Sequence, residues 1–313
     1  MSASPAEKSR GSAALFSQLA LLNLLWAPVN LMVRWAQAAG FSAAGIGLVR
    51  WIGVAIGMFA LLALPSFRRL VKARWPTKRE ALAAALVGVA FMGPAHLLYY
   101  ATLAHVPTVE GAVLNTTAPF WVALLSGFVL REHVTPRTWV AIGLGAVGTY
   151  IVSVGFALPN LADRSHDAGS SLLYLLGIVL ESLGGVFAVY LVRRASGATV
   201  FAFETIGTST AVMLAPLVMP ATLGLAVPHI GAGWLPLAYL IAISGIFAFC
   251  AWNVLAERSP LSLMVVSIAI QPPLAAVLGY FFLREPLTTP MVVGAAFVFC
   301  GLVIAATGPE AAN

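Results

Sequence analysis

The sequence predicts an all-α polytopic membrane protein of ten transmembrane helices, built as two inverted five-helix repeats. Three observations carry that reading. Of the 313 residues, 60% are apolar and only 9% charged, with a mean hydropathy of +0.95. A soluble domain needs about a quarter charged residues to cover a water-facing surface. Apolar runs of a bilayer's width recur along almost the whole chain. Finally, the stretch 106–132, VPTVEGAVLNTTAPFWVALLSGFVLRE, returns 153 positions later as 259–285, SPLSLMVVSIAIQPPLAAVLGYFFLRE. Without a gap, Pro107 falls on Pro260, Pro119 on Pro272 and Leu130-Arg131-Glu132 on Leu283-Arg284-Glu285. The register continues with Thr135 on Thr288 and Gly148 on Gly301, which marks an internal duplication.

The spans are expected near 14–37, 41–64, 81–104, 107–130, 136–156, 171–193, 199–219, 234–256, 260–283 and 288–307, each close to the ~20 residues a bilayer requires. The two repeats then occupy 14–156 and 171–307, and no segment is long enough for a separate soluble domain. With both termini cytoplasmic, thirteen basic residues fall on the inner side, in 8–10, 68–79, 131–137, 193–194 and at Arg258. Only Arg34, Arg164 and Arg284 fall toward the outer side, so positive-inside bias places both ends within the cytoplasm. Five spans per copy is an odd number, and the copies must therefore lie in opposite orientations. Inverted repeats of this kind mark secondary transporters, with the substrate near the midplane.

Each span adds its own detail. Span 1 carries Trp26 and Asn30, and span 2 carries Arg50 and the small pair Gly53 and Gly57. Span 3 sets His96, Tyr99 and Tyr100 on one face at i, i+3 and i+4. The duplication maps Tyr99 and Tyr100 onto Trp252 and Asn253 of span 8, where paired aromatic gates would stand on either side of a central cavity. Interfacial anchoring is the plainer role for such rings. Pro119 in span 4 and Pro272 in span 9 each remove a backbone bond near mid-depth and make natural hinges. Asn115 and Trp121 flank the first proline and Gln271 precedes the second; such amides bind substrate or join helices.

In span 5, Gly143 to Gly148 spells GxGxxG, but no strand precedes it, and it reads as small-residue packing together with Gly53 and Gly57. Glu181, about ten residues into span 6, is an ionisable group at mid-membrane and a functional candidate for receiving an ammonium or a proton. A structural network of Arg50, Glu181 and Glu204 is the rival expectation; Arg50 and Glu204 fall at matching places, offset by 154.

Other classes fit poorly. The +6 net charge lies in short loops between apolar runs, a topology signal, so no nucleic-acid partner is expected. Cys250 and Cys300 sit within apolar spans with no metal or redox spacing, and no cofactor or metal is expected. The five histidines are scattered, and no nucleotide loop or clustered catalytic set is present. The polar start reads as carrying no removable signal peptide.

These features resemble the drug/metabolite transporter superfamily in its EamA-like branch. The resemblance covers nearly the whole chain and rests on the repeated pattern Pro107, Pro119, Leu130-Arg131-Glu132, Thr135, Gly148 and Pro260, Pro272, Leu283-Arg284-Glu285, Thr288, Gly301. Within that branch the chain looks most like bacterial YddG-type exporters, which implies export of aromatic and other neutral amino acids across the inner membrane by alternating access. No enzymatic activity is expected, the expected partners are a small-molecule substrate and the lipid bilayer, and a monomer is one of the oligomeric states left open. The expected substrate contacts are Trp26, Asn30, His96, Tyr99, Tyr100, Asn115, Trp121, Glu181, Trp252, Asn253 and Gln271, with Pro119 and Pro272 as hinges. The alternatives are a multidrug or quaternary-cation exporter of the same fold and, in another class, an intramembrane enzyme.

Overall fold

The computed structural model describes residues 5–102, 105–106, 114–115, 117–131, 133–154, 156, 168–218, 224–228, 231, 233–257, 259, 264, 267–271 and 288–306. Every regular element among them is helical. In chain order these are α1 (Pro5–Trp26), α2 (Val29–Ala38), α3 (Ala43–Ala63), α4 (Pro65–Leu70), α5 (Lys78–Val87), α6 (Gly93–Thr102), α7 (Ala118–Val129), α8 (Pro136–Val154), α9 (Ala168–Val192), α10 (Gly197–Val218), α11 (Trp234–Tyr239), α12 (Cys250–Ala256) and α13 (Thr289–Ala306). Six described stretches are long and apolar enough to cross a membrane: Ser17–Ala38, Ala43–Ala63, Lys78–Thr102, Gly169–Val192, Gly197–Leu217 and Trp234–Ala256. Two shorter apolar stretches, Ala118–Val129 and Val292–Gly301, fall on the fourth and tenth predicted spans. The chain is an all-helical polytopic membrane protein.

Local chemistry sets several boundaries. The Ser42 hydroxyl caps α3 by accepting from the Gly45 amide at 3.0 Å, and it accepts the Ala226 amide at 2.9 Å. Thr77 and Glu80 form a reciprocal capping box that starts α5. Glu257 accepts the Gly197 amide at 2.5 Å, so a carboxylate meets the positive end of α10. The arm after α4 is pinned there too: Arg74 donates its amide to Ser196 at 3.1 Å, and its carbonyl accepts Thr199 at 2.7 Å.

Among the described residues the helices depart from the expected regular spans in five places. The first span, expected as one helix over 14–37, breaks at Ala27-Pro28 because proline lacks an amide and crowds the preceding turn. In the fourth span, Thr117 forms a turn and Pro119 sits in the first turn of α7, where a missing amide costs nothing. The bend expected there is thus a helix break. α5 and α6 are joined by a π-helical segment, Gly88–Met92, and α11 and α12 by another, Leu240–Phe249. The duplication maps Gly88 onto Ile241, so both copies carry wide turns at the same place. A short 3-10 segment, Ser267–Ile270, precedes Gln271; Pro272 lies outside the described residues, as do Pro107, Pro260 and the repeated Glu132 and Glu285.

The chain forms two compact units, 1–28 with 108–165 and 260–313, and 29–107 with 166–259. Each unit draws on both copies. In the first, α8 packs against α13 through matching glycines. A Cβ on Gly148 would stand 2.5 Å from the Gly294 carbonyl, and one on Gly301 would stand 2.9 Å from that of Ala141. Shifted by 153, these two contacts become each other. Ala141 lies beside Gly301 and Gly148 beside Gly294, so the corresponding helices run antiparallel, and the repeats are inverted. Gly143 of the GxGxxG run meets nothing within 4 Å and takes no part. The same unit holds a buried amide network. Asn23 donates to Ser267 at 2.9 Å and to the Leu19 carbonyl at 2.8 Å, and its own oxygen accepts Gln271 at 2.8 Å.

In the second unit, α10 lies backbone to backbone against α5, the π-turn and α6. A Cβ on Gly207 would collide with the Ala85 carbonyl, one on Gly88 with that of Glu204, and one on Gly93 would reach Ala211 at 2.5 Å. The symmetry-related contact is looser. There Gly53 and Gly57 of α3 receive the side chains of Ile241 and Ile246.

Two stability predictions follow from these contacts. Gly207→Val should destabilise by about 3 kcal/mol, the upper end for overpacking, whereas Gly143→Ala should gain about 0.5–1 kcal/mol of helix propensity; thermal unfolding in detergent compares them. Asn23→Ala, which removes two side-chain partners, should cost about 1–2 kcal/mol, and Gln271→Ala about half as much. The order of the two melting temperatures is the check, and equal values would remove Asn23 from its central place in the network.

Candidate functional site

The second unit gathers the polar and aromatic groups of spans 2, 3, 6 and 8. α3 buries Gly47, Arg50, Trp51, Val54 and Met58, a stripe at helical spacing that turns Arg50 inward. Only 2% of Arg50 is exposed. Its Nη1 donates to the Tyr100 hydroxyl at 2.6 Å and its Nη2 to Ser244 at 3.2 Å, while Nε has no hydrogen-bond partner. Both partners are neutral. The guanidinium also stands 5.2 Å from the centre of the Trp51 ring.

Around this cation the rings interlock. Trp51 meets His96 edge-on at 4.6 Å and Phe249 at 5.7 Å; Tyr99 meets Tyr100 at 5.5 Å and Tyr174 at 5.8 Å. Phe249 stacks on Phe201 at 5.8 Å. His96 is nearly buried, and its Nδ1 donates to the Met92 carbonyl at 2.8 Å, inside the wide turn of span 3. Tyr100 is fully buried, while Tyr99 keeps partial exposure.

α9 is held against α6 by two glycines. A Cβ on Gly177 would meet the Ala95 carbonyl at 3.3 Å, and one on Gly184 the Met92 sulfur at 2.6 Å. Glu181 lies between them in the middle of α9, with its side chain exposed at the protein surface. It interacts electrostatically with Arg50 and with Tyr99 and Tyr100. Arg50 and Glu181 thus lie in one unit with the rings of Tyr99, Tyr100 and Tyr174, Arg50 enclosed and Glu181 at the surface.

The other expected contacts are distributed as follows. Trp252 is half-buried in α12, and Asn253 is buried with its amide donating to the Phe249 carbonyl at 3.0 Å, back along its own helix. Asn30 belongs to α2, with its side chain outside the description. The first unit holds Trp26, half-buried at the end of α1, an exposed Asn115, and Trp121, half-buried beside Phe120 with its Nε1 unpartnered. Gln271 is engaged with Asn23, as described. The expected network of Arg50, Glu181 and Glu204 is not formed as hydrogen-bonded ion pairs: Arg50 binds hydroxyls, and Glu204, 4% exposed, leaves Oε2 without a partner.

Sequence reasoning passed over Tyr174, Ser244 and Phe249. Tyr174 could have been found as the residue seven before Glu181 on the same helix face, and Phe249 as the duplicate of His96. Ser244 gives no signal of its own; the wide turn around it decides where it points.

Comparison with known proteins places the chain. The EamA-like transporter family matches twice, over residues 15–154 and 169–307. A protein of Streptantibioticus cattleyicolor named a probable terminal-alkyne amino-acid exporter is 25% identical over 293 residues, 91% of this chain and 93% of that protein. An uncharacterized transporter of Archaeoglobus fulgidus is 26% identical over 207 residues, 66% of this chain and 70% of its own length. A solved crystal structure shares the fold with a TM-score of 0.72 at 20% identity, covering 94% of this chain and 96% of the other. Two family matches that together take in nearly all the spans decide the matter: the chain belongs to the EamA-like transporter family and is a membrane transporter, not an enzyme.

Proposed function

We propose that the chain exports aromatic and other neutral amino acids across the inner membrane by alternating access, working as a monomer with both termini in the cytoplasm. The observation that carries this reading is the exposed Glu181 carboxylate at mid-helix, in the same unit as the paired rings Tyr99 and Tyr174 of spans 3 and 6. An accessible anion in an aromatic setting suits a ligand with an ammonium group and a flat apolar side chain. The similar exporter from Streptantibioticus cattleyicolor, named for an amino acid, supports the substrate class. His96, Tyr99, Tyr100, Trp252 and Asn253 are the proposed companions of Glu181 in the second unit. The helix break before Pro119 and the wide turns in spans 3 and 8 are proposed as the points of bending during transport.

The test uses purified protein in liposomes loaded with labelled phenylalanine. Counterflow driven by unlabelled phenylalanine, tyrosine or leucine is the expected result. Movement of lipophilic cations with no movement of amino acids would replace this substrate class by the multidrug one. Glu181→Gln should lower counterflow by roughly tenfold or more, the loss of one charge-assisted contact, with an unchanged melting temperature. A reporter fused to the C-terminus should be active only as a cytoplasmic reporter, and activity of a periplasmic one would reverse the orientation.

A further inference from the structure

We propose that Arg50 is the carboxylate-recognising residue of the carrier, so that Arg50 and Glu181 together select zwitterions; this rests on the amino-acid reading of the same site. Burying a guanidinium without an anion costs several kcal/mol, and a chain retains such a group where something repays it. Arg50 is 2% exposed within a membrane-spanning helix, and among the described residues its hydrogen bonds go only to the hydroxyls of Tyr100 and Ser244. Hydroxyls satisfy donors but leave the charge uncompensated. The buried acid at the matching place in the other copy, Glu204, does not supply the anion, since its Oε2 has no partner. Glu181 interacts with Arg50 electrostatically but faces the open side.

The unused donor is Nε. A carboxylate binds a guanidinium best in a fork, one oxygen on Nε and the other on a terminal nitrogen. That edge of Arg50 has one donor free and the other held by an exchangeable hydroxyl bond. A carboxylate arriving there makes the paired contact that the resting protein lacks. Its ammonium then has Glu181 as the acceptor in the same unit, and its side chain has Tyr99 and Tyr174 as neighbours. Arg50 is enclosed in the present structure, as the occluded pole of an alternating site would be, while Glu181 is open. The first contact of an incoming ligand is therefore its amine, and the carboxylate engages Nε and Nη2 when Ser244 yields its bond to Nη2.

The experiment is competition in phenylalanine counterflow, using phenylalaninamide, which lacks the carboxylate, and 3-phenylpropionate, which lacks the ammonium. On the unaltered protein, both should compete roughly ten- to a hundredfold more weakly than phenylalanine, the worth of one hydrogen-bonded charge contact. Arg50→Gln should abolish the preference for phenylalanine over its amide. Arg50→Lys, a point charge without the fork, should restore part of it. Phenylalaninamide competing as well as phenylalanine on the unaltered protein would overturn the role of Arg50 while leaving the amino-acid reading intact. So would a folded Arg50→Gln protein that still preferred the zwitterion. Absence of any amino-acid counterflow would remove the functional reading itself, and this proposal with it. The competitor panel on unaltered protein decides the question even where Arg50→Gln fails to fold.

Discussion

The close approach of α10 to the α5–α6 span, with Gly207 against the Ala85 carbonyl and Gly88 against that of Glu204, is the contact on which the second unit depends. Lipid removes the hydrophobic drive between helices, so association rests on backbone proximity and van der Waals contact. Only residues without a side chain allow it here. The π-helical segment Gly88–Met92 starts inside that contact. A wide turn inserts one residue and rotates the helix that follows by about 100°. That rotation decides which face His96, Tyr99 and Tyr100 present, and hence that the Tyr100 hydroxyl reaches Arg50. A packing choice made by glycines is in this way carried to the polar cluster.

The duplicated contacts show how the copies have diverged while keeping one plan. On one side Gly88 and Gly93 meet Gly207 and Ala211; on the other, Ile241 and Ile246 meet Gly53 and Gly57. The first contact is small on small and brings two backbones together. The second interposes isoleucine side chains, which adapt their rotamers. One half of the second unit is thus rigid against its neighbour, and the other is cushioned. The same plan in the first unit gives α8 and α13 matching glycines on both helices and a contact that reads identically from either copy.

Much of this was legible in the residues because repetition is visible without coordinates. The 153-residue register announced Gly148 and Gly301 as partners in a symmetric design, and they meet each other's helices. The pairing of Gly53 with Gly57 likewise marked a close contact, though not its partner. What escaped was everything set by helix irregularity. Nothing in GVAFM or LIAISGIFAF distinguishes a wide turn from an ordinary one, since glycine and aliphatic residues suit both. Periodicity measured through such a turn assigns later residues to the wrong face, which is why Ser244 was missed. Pro28 was visible, but a proline between two apolar segments reads equally as a kink or a break. Glu181 is legible in the sequence as an isolated charge, whereas the rival network of Arg50 with Glu181 and Glu204 is not one that the hydrogen bonds of Arg50 form.

The fate of Arg50 and Glu204 shows where a duplicated carrier gains chemistry. They occupy corresponding places, offset by 154, and the glycines of the same helices obey that offset, with Gly53 matching Gly207 and Gly57 matching Ala211. One copy therefore buries a cation where the other buries an acid. A symmetric pair of like groups would give a site with two equal poles, suited to a ligand with the same group at each end. Opposite groups break that equivalence. The aromatic positions diverge in parallel: Tyr100, a donor and acceptor for Arg50, corresponds to Asn253, which turns its amide back onto its own helix. His96 corresponds to Phe249, and the two rings stand 6.4 Å apart, so here a polar ring in the first copy faces an apolar one in the second. The duplication supplies the scaffold twice, and the substitutions between the copies give its corresponding places different charges, a cation at Arg50 and an acid at Glu204.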